Sequence, residues 1–491
     1  MSDERPASAL VSQIGLVLGP VACLAILLTP PPGALSVAGW HTAAVTALMA
    51  TWWITEAVPI PVTSLVPLAL FPLLGVLDMG AAAAPYANEL IFLFMGGFFI
   101  AAAMERTGLH RRIALGIVSR VGTSPNRLVL GFMLATAFLS MWISNTATAA
   151  MMLPVALAVS EMLKPPGRTG EPYYFGISLM IGIAYASSIG GIATLIGTPP
   201  NAVMAGAIQE FVGVQIGFGQ WMLVGVPVAA LLLPAAWLLL TRALYPPGVL
   251  SGNVEAIVAE ERAGLGPMSR AERIVAIIFA LTAIAWIMRE PKDLGGFLIP
   301  GIATFAPGVK DSTIAIVASL VLFATPVSLR RTEYVLDWSS GSRIAWGVLL
   351  LFGGGLSVAR AMDESGLATW IGSGVTALES APSWVVLAAA TTLIVFLTEI
   401  TSNAATATMA MPVMAGVASA LDQPAIALMA AVGLSASMAF MLPVATPPNA
   451  IVFSSGYLTI RQMARAGWWM NLISIAIITL AGVWLIPAVL M

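Results

Sequence analysis

Apolar runs lie near positions 11–29, 40–58, 62–77, 88–105, 220–241, 270–288, 312–328, 343–360 and 467–490. None carries a one-sided polar stripe, as expected of helices that face lipid or one another. A helix needs about 20 such residues to cross a hydrocarbon core. Two longer stretches, 172–208 and 423–457, are each interrupted once by Pro-Pro-Asn, and two more, 125–163 and 381–418, are broken near their centres by a small polar cluster. The pattern predicts an all-α polytopic membrane protein. Its eleven transmembrane helices are joined by two re-entrant hairpins, 125–163 and 381–418, which enter and return on one side. The Gly/Pro-punctuated segment 294–305 is too short to cross and reads as an external loop.

Loop charges orient this chain. With the amino terminus in the cytoplasm, all of the 21 Lys and Arg except Arg289, Lys292, Lys310 and Arg360 fall inside, the bias expected of a membrane protein. Arg5, Arg330 and Arg331 are among the inside residues. Arg120 and Arg127 on one flank, Lys164 and Arg168 on the other, make the first hairpin open from the cytoplasm. Glu379 and Asp422 flank the second, with no Lys or Arg close by, so it opens from outside. The carboxyl terminus is then external.

Composition narrows the class. The 491 residues are 59% hydrophobic and only 9% charged, against roughly a quarter charged in a soluble domain. A net charge of −2 offers nothing to nucleic acid or to an acidic partner. The single Cys23 excludes a disulfide framework or a thiolate metal site within the chain. The first run follows Asp3, Glu4 and Arg5, lacks a strongly basic leader and ends in Thr29-Pro30-Pro31-Pro32-Gly33; it reads as a retained span. Two His, one Cys and no HExxH or GxSxG speak against an intramembrane enzyme, and paired discontinuous hairpins speak against a passive channel.

The chain repeats itself. ISNTATAAMMLPV (143–155) realigns with TSNAATATMAMPV (401–413), and at the same offset FMGGFFIAAAMERTGL (94–109) overlays FGGGLSVARAMDESGL (352–367). Downstream, GTPPNAV (197–203) is echoed by ATPPNAI (445–451). Each half reads span, hairpin with Ser-Asn, then a span split by Thr-Pro-Pro-Asn. Five spans separate the hairpins, and an odd number turns the second copy upside down. Inverted repeats with interrupted segments at matching positions mark the binding site of secondary transporters.

The chemistry of the breaks suits an anion beside a cation. A Pro-Pro pair removes two amide donors and stops a helix, so Thr198-Pro199-Pro200 and Thr446-Pro447-Pro448 unwind their spans. Non-helical backbone at membrane depth is tolerated only inside protein or beside water. Freed carbonyls become ligands for a hard cation, and each half-helix that starts after a break turns unbonded amides toward the site. Ser144-Asn145 and Ser402-Asn403 read as helix N-caps at the hairpin tips. The blander reading, that Pro-Pro kinks a span and Ser, Asn and Thr bond helices together, accounts for any single motif; four in matched pairs favour a site. Glu399, near the second tip, suits either ion tuning or a structural pairing, whereas Glu56 better suits a structural or interfacial place. His110 reads as solvated, His41 as interfacial, Trp52-Trp53 and Trp468-Trp469 as anchors or packing, and 248–273 as a solvated cytoplasmic loop.

WITEAVPIPVTSLVPLALFPLLGVL (53–77), MWISNTATAAMMLP (141–154), YASSIGGIATLIGTPPN (185–201), TEITSNAATATMAMP (398–412) and SASMAFMLPVATPPNAIVF (435–453) resemble the signatures of the divalent anion/sodium symporter family, which includes sodium-coupled dicarboxylate and citrate carriers. The resemblance covers nearly the whole chain. It implies a homodimer in a bacterial inner (plasma) membrane, each protomer with a scaffold and a transport domain that moves as an elevator. First-half scaffold helices would occupy 1–119 and first-half transport elements 120–243. After a cytoplasmic loop, 244–269, second-half scaffold helices would occupy 270–380 and transport elements 381–491. One co-transported Na⁺ would be bound around Ser140, Ser144, Asn145 and Gly197. A second would be bound around Thr398, Thr401, Asn403 and Ala445. A small dicarboxylate would meet Asn145 and Thr146 on one tip and Ser402 and Asn403 on the other, with Thr198, Thr446 and Pro447 completing the site. Many members carry Ser-Asn-Thr twice; here the second copy is Ser402-Asn403-Ala404, which bears on the substrate. No Lys or Arg stands at the tips in place of the cation, which favours symport over Na⁺-independent exchange. Four-carbon dianions such as succinate, malate or fumarate are the expected cargo, with sulfate or a tricarboxylate as the alternative.

Overall fold

The computed structural model describes residues 7–33, 35–122, 124–164, 173–248, 254–293, 298–328, 333–375 and 381–491. Arg5, Arg168, Arg330, Arg331 and Glu379, used above to orient the chain, lie outside the described residues, as does 294–297 of the expected external loop. The chain is predominantly helical. Among the described residues six helical stretches are long and apolar enough to cross a membrane: Leu10–Leu27, Met79–Thr107, Asn145–Leu163, Tyr174–Gly191, Phe218–Leu244 and Ile460–Leu490. Four shorter apolar helices accompany them: Ile60–Leu73, Asp311–Ala324, Ser383–Leu397 and Ala425–Ser435.

Both long polar-centred stretches are helix–turn–helix pairs. Pro125–Ser140 and Asn145–Leu163 form the first hairpin, Ser383–Leu397 and Asn403–Ala420 the second. Both Pro-Pro-Asn stretches are broken helices: Tyr174–Gly191 then Pro199–Val212, and Ala425–Ser435 then Pro447–Phe453. The prolines do not lie in the unwound backbone. They open the second half-helix at its first positions, where the missing amide had no partner to lose and φ is already helical. The unwound residues are 192–198 and 436–446, upstream of each pair.

The halves pack reciprocally. The half-helix Pro199–Val212 lies against the second hairpin's arm Asn403–Ala420, and Pro447–Phe453 lies against the first hairpin's arm Asn145–Leu163. Each hairpin also packs on the broken helix of its own half. Backbone detail repeats too. The helix Glu89–Thr107 ends at Gly108 and Trp346–Glu364 runs to Gly366, both in the left-handed region at φ 76°. A side chain there would strain the backbone, so both glycines are required for the short helices that follow, Leu109–Val121 and Leu367–Ser373.

Several expectations are corrected. Leu109–Val121 and Leu367–Ser373 are helices that no long apolar run marks in the sequence. Residues 248–273, read as a solvated loop, include the helix Val254–Ala263, docked by Arg111 to Glu261 at 2.9 Å and, beyond it, by Arg112 to Glu272 at 2.8 Å. The architecture is not purely helical: Lys292–Asp293 pairs antiparallel with Leu298–Ile299, and Pro326–Ser328 with Glu333–Tyr334. His110 is half-buried rather than solvated, its Nδ1 2.8 Å from the Met104 carbonyl, and burial pushes its pKa down. Glu56 is exposed at the end of Val37–Thr55, in the left-handed region at φ 47°, which fits the interfacial reading. Cys23 is a buried free thiol.

Candidate ion and substrate site

The Ser-Asn turn of each hairpin is tied to the broken helix of its own half by one oxygen cluster. In the first half the Ser140 hydroxyl lies 2.7 Å from Asn145 Oδ1 and 2.7 Å from the Ser187 carbonyl. In the second, the Thr398 hydroxyl lies 2.7 Å from Asn403 Oδ1 and 2.9 Å from the Ala436 carbonyl. A hydroxyl brings one proton and both of its neighbours are acceptors. With Oδ1 of each asparagine turned to the hydroxyl, each trio holds an oxygen–oxygen contact that no proton bridges, and a cation would relieve it. Neutral oxygens from a hydroxyl, an amide and a backbone carbonyl, in the last turn of Tyr174–Gly191 in the first half and at the start of the unwound segment in the second, are a donor set that suits Na⁺.

The asparagine of each Pro-Pro-Asn holds the unwound backbone in place. Asn201 Nδ2 is 2.7 Å from the Thr194 carbonyl and 3.3 Å from that of Gly191. Asn449 Nδ2 is 3.0 Å from the Leu442 carbonyl and 3.2 Å from that of Ala439. Both asparagines are fully enclosed, and neither Oδ1 has a hydrogen-bond partner among the described residues. The Ser188 and Ser437 hydroxyls, each one residue after a carbonyl of an oxygen trio, are likewise buried without one. These residues stood in the quoted motifs but carried no assigned role; the recurrence of Asn after both Pro-Pro pairs was the signal for two of them.

Close approach explains the glycines of the first half. A Cβ on Gly191 would stand 2.5 Å from Asn145 Oδ1, and one on Gly197 would stand 2.4 Å from the Gly191 carbonyl. The unwound segment doubles back onto the helix end, beside the tip asparagine.

Other expected ligands take different positions. Ser144 accepts from the Ala147 amide at 3.2 Å, a true N-cap. Ser402 holds the cap position without a side-chain bond, so its expected capping is corrected. Thr446 caps its half-helix through the Asn449 amide at 3.2 Å; Thr198 makes no such bond. The Thr401 hydroxyl donates to the Leu397 carbonyl at 2.9 Å and meets the Thr406 hydroxyl, so its bonds are made outside the trio. Ala445 is buried beside Thr446, Pro447 opens the half-helix, and Thr146 is exposed at the first tip.

Glu399 has a definite role. Its carboxylate accepts from three consecutive amides of the unwound segment, Phe440 at 2.7 Å, Met441 at 2.9 Å and Leu442 at 3.3 Å, and from Asn471 Nδ2 at 2.8 Å. It is the structural pairing, made to backbone rather than to a cation.

The tips differ in what lies beyond them. Ala404, after Asn403, is buried in a cluster with Met49, Phe71, Val358 and Ala361 from helices outside the hairpins. The first tip instead borders a cavity of about 520 Å³, lined by Ser144 and Ala147 on one side and by Ala101, Glu105, Arg106 and Arg343 on the other.

Residues 11–491 match the family described as "Sodium:sulfate symporter transmembrane region". The chain belongs to this family. Within it, the chain is 42% identical to the sodium-dependent dicarboxylate transporter SdcS of Staphylococcus saprophyticus over 97% of its own length and 92% of that protein. It is 41% identical to SdcS of Staphylococcus aureus strain USA300 over 99% and 93%. At the level of fold it is similar to MtrF of Neisseria gonorrhoeae, with a TM-score of 0.58, 11% identity and coverage of 97% and 95%. A family of membrane symporters fits the apolar helices and the polar interior described above.

Proposed function

We propose that this protein is a Na⁺-coupled symporter that imports four-carbon dicarboxylates such as succinate, malate or fumarate. The observation that carries the reading is the pair of matched, proton-deficient oxygen trios, Ser140–Asn145–Ser187 and Thr398–Asn403–Ala436. Relatives named sodium-dependent dicarboxylate transporters, identical at more than two positions in five, support the cargo.

Two Na⁺ would be held by these oxygens, with unwound backbone near Gly197 and Ala445 adding carbonyls. The substrate carboxylates would then meet the two tips. Asn145 and Thr146 serve one, and Ser402 and Asn403 the other, with Thr198, Thr446 and Pro447 at the half-helix starts. No Lys or Arg is needed, because bound cations and amide-rich helix ends supply the positive field.

Eleven crossings, two re-entrant hairpins in inverted repeats and a cytoplasmic amino terminus complete the reading. The hairpins and broken helices form the moving transport domain, and the remaining helices a dimeric scaffold. The second tip buried on its neighbours and the first facing them across a cavity fit one end of an elevator stroke, open toward the Arg-rich face. Each net positive charge carried inward gains about 2.3 kcal/mol per 100 mV, which drives accumulation of a dianion if Na⁺ charges outnumber those of the substrate.

The test is uptake of radiolabelled succinate into proteoliposomes, with external Na⁺ replaced by an impermeant cation. Uptake should fall at least tenfold; uptake that persists would overturn symport in favour of exchange. Sulfate or citrate competing better than malate would overturn the dicarboxylate assignment.

A further inference from the structure

The cavity beside the first tip has a charged wall that the proposed ion and substrate ligands do not use. Arg106 is paired with Asp337 at 2.7 Å. The Ser339 hydroxyl and the Ser340 amide, with Arg106, hold the pKa of the Asp337 carboxyl down at about 2, so Asp337 stays ionised opposite Arg106 at physiological pH. Arg343 differs. Its amide donates to the Ser340 carbonyl at 3.2 Å, which closes the turn before Trp346–Glu364. Its guanidinium has no carboxylate within ion-pair distance among the described residues. Glu105 shares the same wall, also without an ion-pair partner among them, and Ser144 closes the cavity at the hairpin tip. At about 520 Å³ the space exceeds what a small dicarboxylate needs, since ligand pockets begin near roughly 300 Å³.

We propose that Arg343 forms an anion-staging site: on leaving the Ser144 tip, a carboxylate of the cargo pairs with this guanidinium before it reaches the aqueous phase. The proposal rests on the dicarboxylate reading above. A planar guanidinium offers a carboxylate two parallel hydrogen bonds, and an unpaired one at the open mouth of a cavity raises the local concentration of anions. Glu105 opposes the same charge and keeps the hold weak, as conduction requires binding loose enough to leave.

The experiment measures the KM for succinate at each face of oriented proteoliposomes and takes the ratio of the Arg-rich face to the opposite face. Arg343→Gln should raise this ratio five- to tenfold, Arg343→Lys should restore most of it, and Glu105→Gln should lower it. The Arg343→Gln effect should shrink at high ionic strength, because the charge is exposed and the screening length, about 8 Å at physiological salt, shortens as salt rises. A ratio within twofold of wild type in Arg343→Gln, or one that rises in both Arg343→Gln and Glu105→Gln, would overturn the staging site while leaving the cargo assignment intact. A wild-type protein that moves no succinate at all would remove the cargo assignment and the staging site together.

Discussion

The two halves carry the same site chemistry on different supports. Each hairpin turn has its hydroxyl, its asparagine and its borrowed carbonyl, but the turn meets the unwound segment in two ways. In the first half the Thr194 hydroxyl donates to the Met141 carbonyl at 2.5 Å. In the second, at the matching positions, the Leu442 amide and its two predecessors donate to the Glu399 carboxylate. The reason lies in the preceding helix. Gly190 lets the first helix run on to Gly191 against the first hairpin, where a Cβ would stand 2.2 Å from the Ala137 carbonyl. Met438 and Ala439 replace that glycine pair in the second half, and its helix stops at Ser435. A longer unwound segment frees more amides, and a buried amide without an acceptor costs about 1–3 kcal/mol. Glu399 supplies the acceptor. The halves thus share a hydroxyl–asparagine–carbonyl trio and differ in scaffolding, so substitutions at matched positions should agree at the proposed ligands and part at the supports.

The largest effects fall where the halves are alike. Asn145→Ala and Asn403→Ala should each abolish transport, by more than a hundredfold, with no loss of folded protein by size exclusion. Wild-type rates in either variant would remove that turn from the site. The supports come next and should be unequal. Glu399→Ala strands three amides and Asn471 and should lower stability by about 3–5 kcal/mol, at about 1 kcal/mol or more for each donor left without an acceptor. Thr194→Val removes a single hydrogen bond and should cost about 1 kcal/mol. Thermal unfolding in detergent checks both; equal losses would mean that the carboxylate does not carry the second segment as the hydrogen bonds imply.

Motif spacing made the hairpin turns and the half-helix starts legible and left the support level hidden. Thr-Pro-Pro-Asn marked both half-helix starts because proline chemistry acts locally, and Ser-Asn marked both turns for the same reason. Where the first half-helices end could not be read, because that depends on whether residue 190 or 438 tolerates a carbonyl from another helix. Leu109–Val121 and Val254–Ala263 escaped because both are short and charged, and Arg111, Arg112 and their Glu partners come together only through tertiary packing. Glu399 stood out as a costly charge, yet its partners are backbone amides that no side-chain pattern announces.

The smallest expected effect tests the difference beyond the tips. Sequence comparison makes Ala404 look like a hydroxyl missing from the substrate site. The structure buries Ala404 in the cluster that includes Met49, Phe71, Val358 and Ala361, while the matching Thr146 is exposed at the first tip. Ala404→Thr should therefore act as overpacking with a polar atom, costing about 1–3 kcal/mol of stability, and should change the succinate KM by less than threefold. Thr146→Ala should do the reverse, sparing stability and raising the KM severalfold. If Ala404→Thr instead tightens succinate binding at unchanged stability, the second tip turns its residue 404 toward the cargo during transport, and the contrast between a covered and an open tip belongs to one conformation of the cycle rather than to the two sequences.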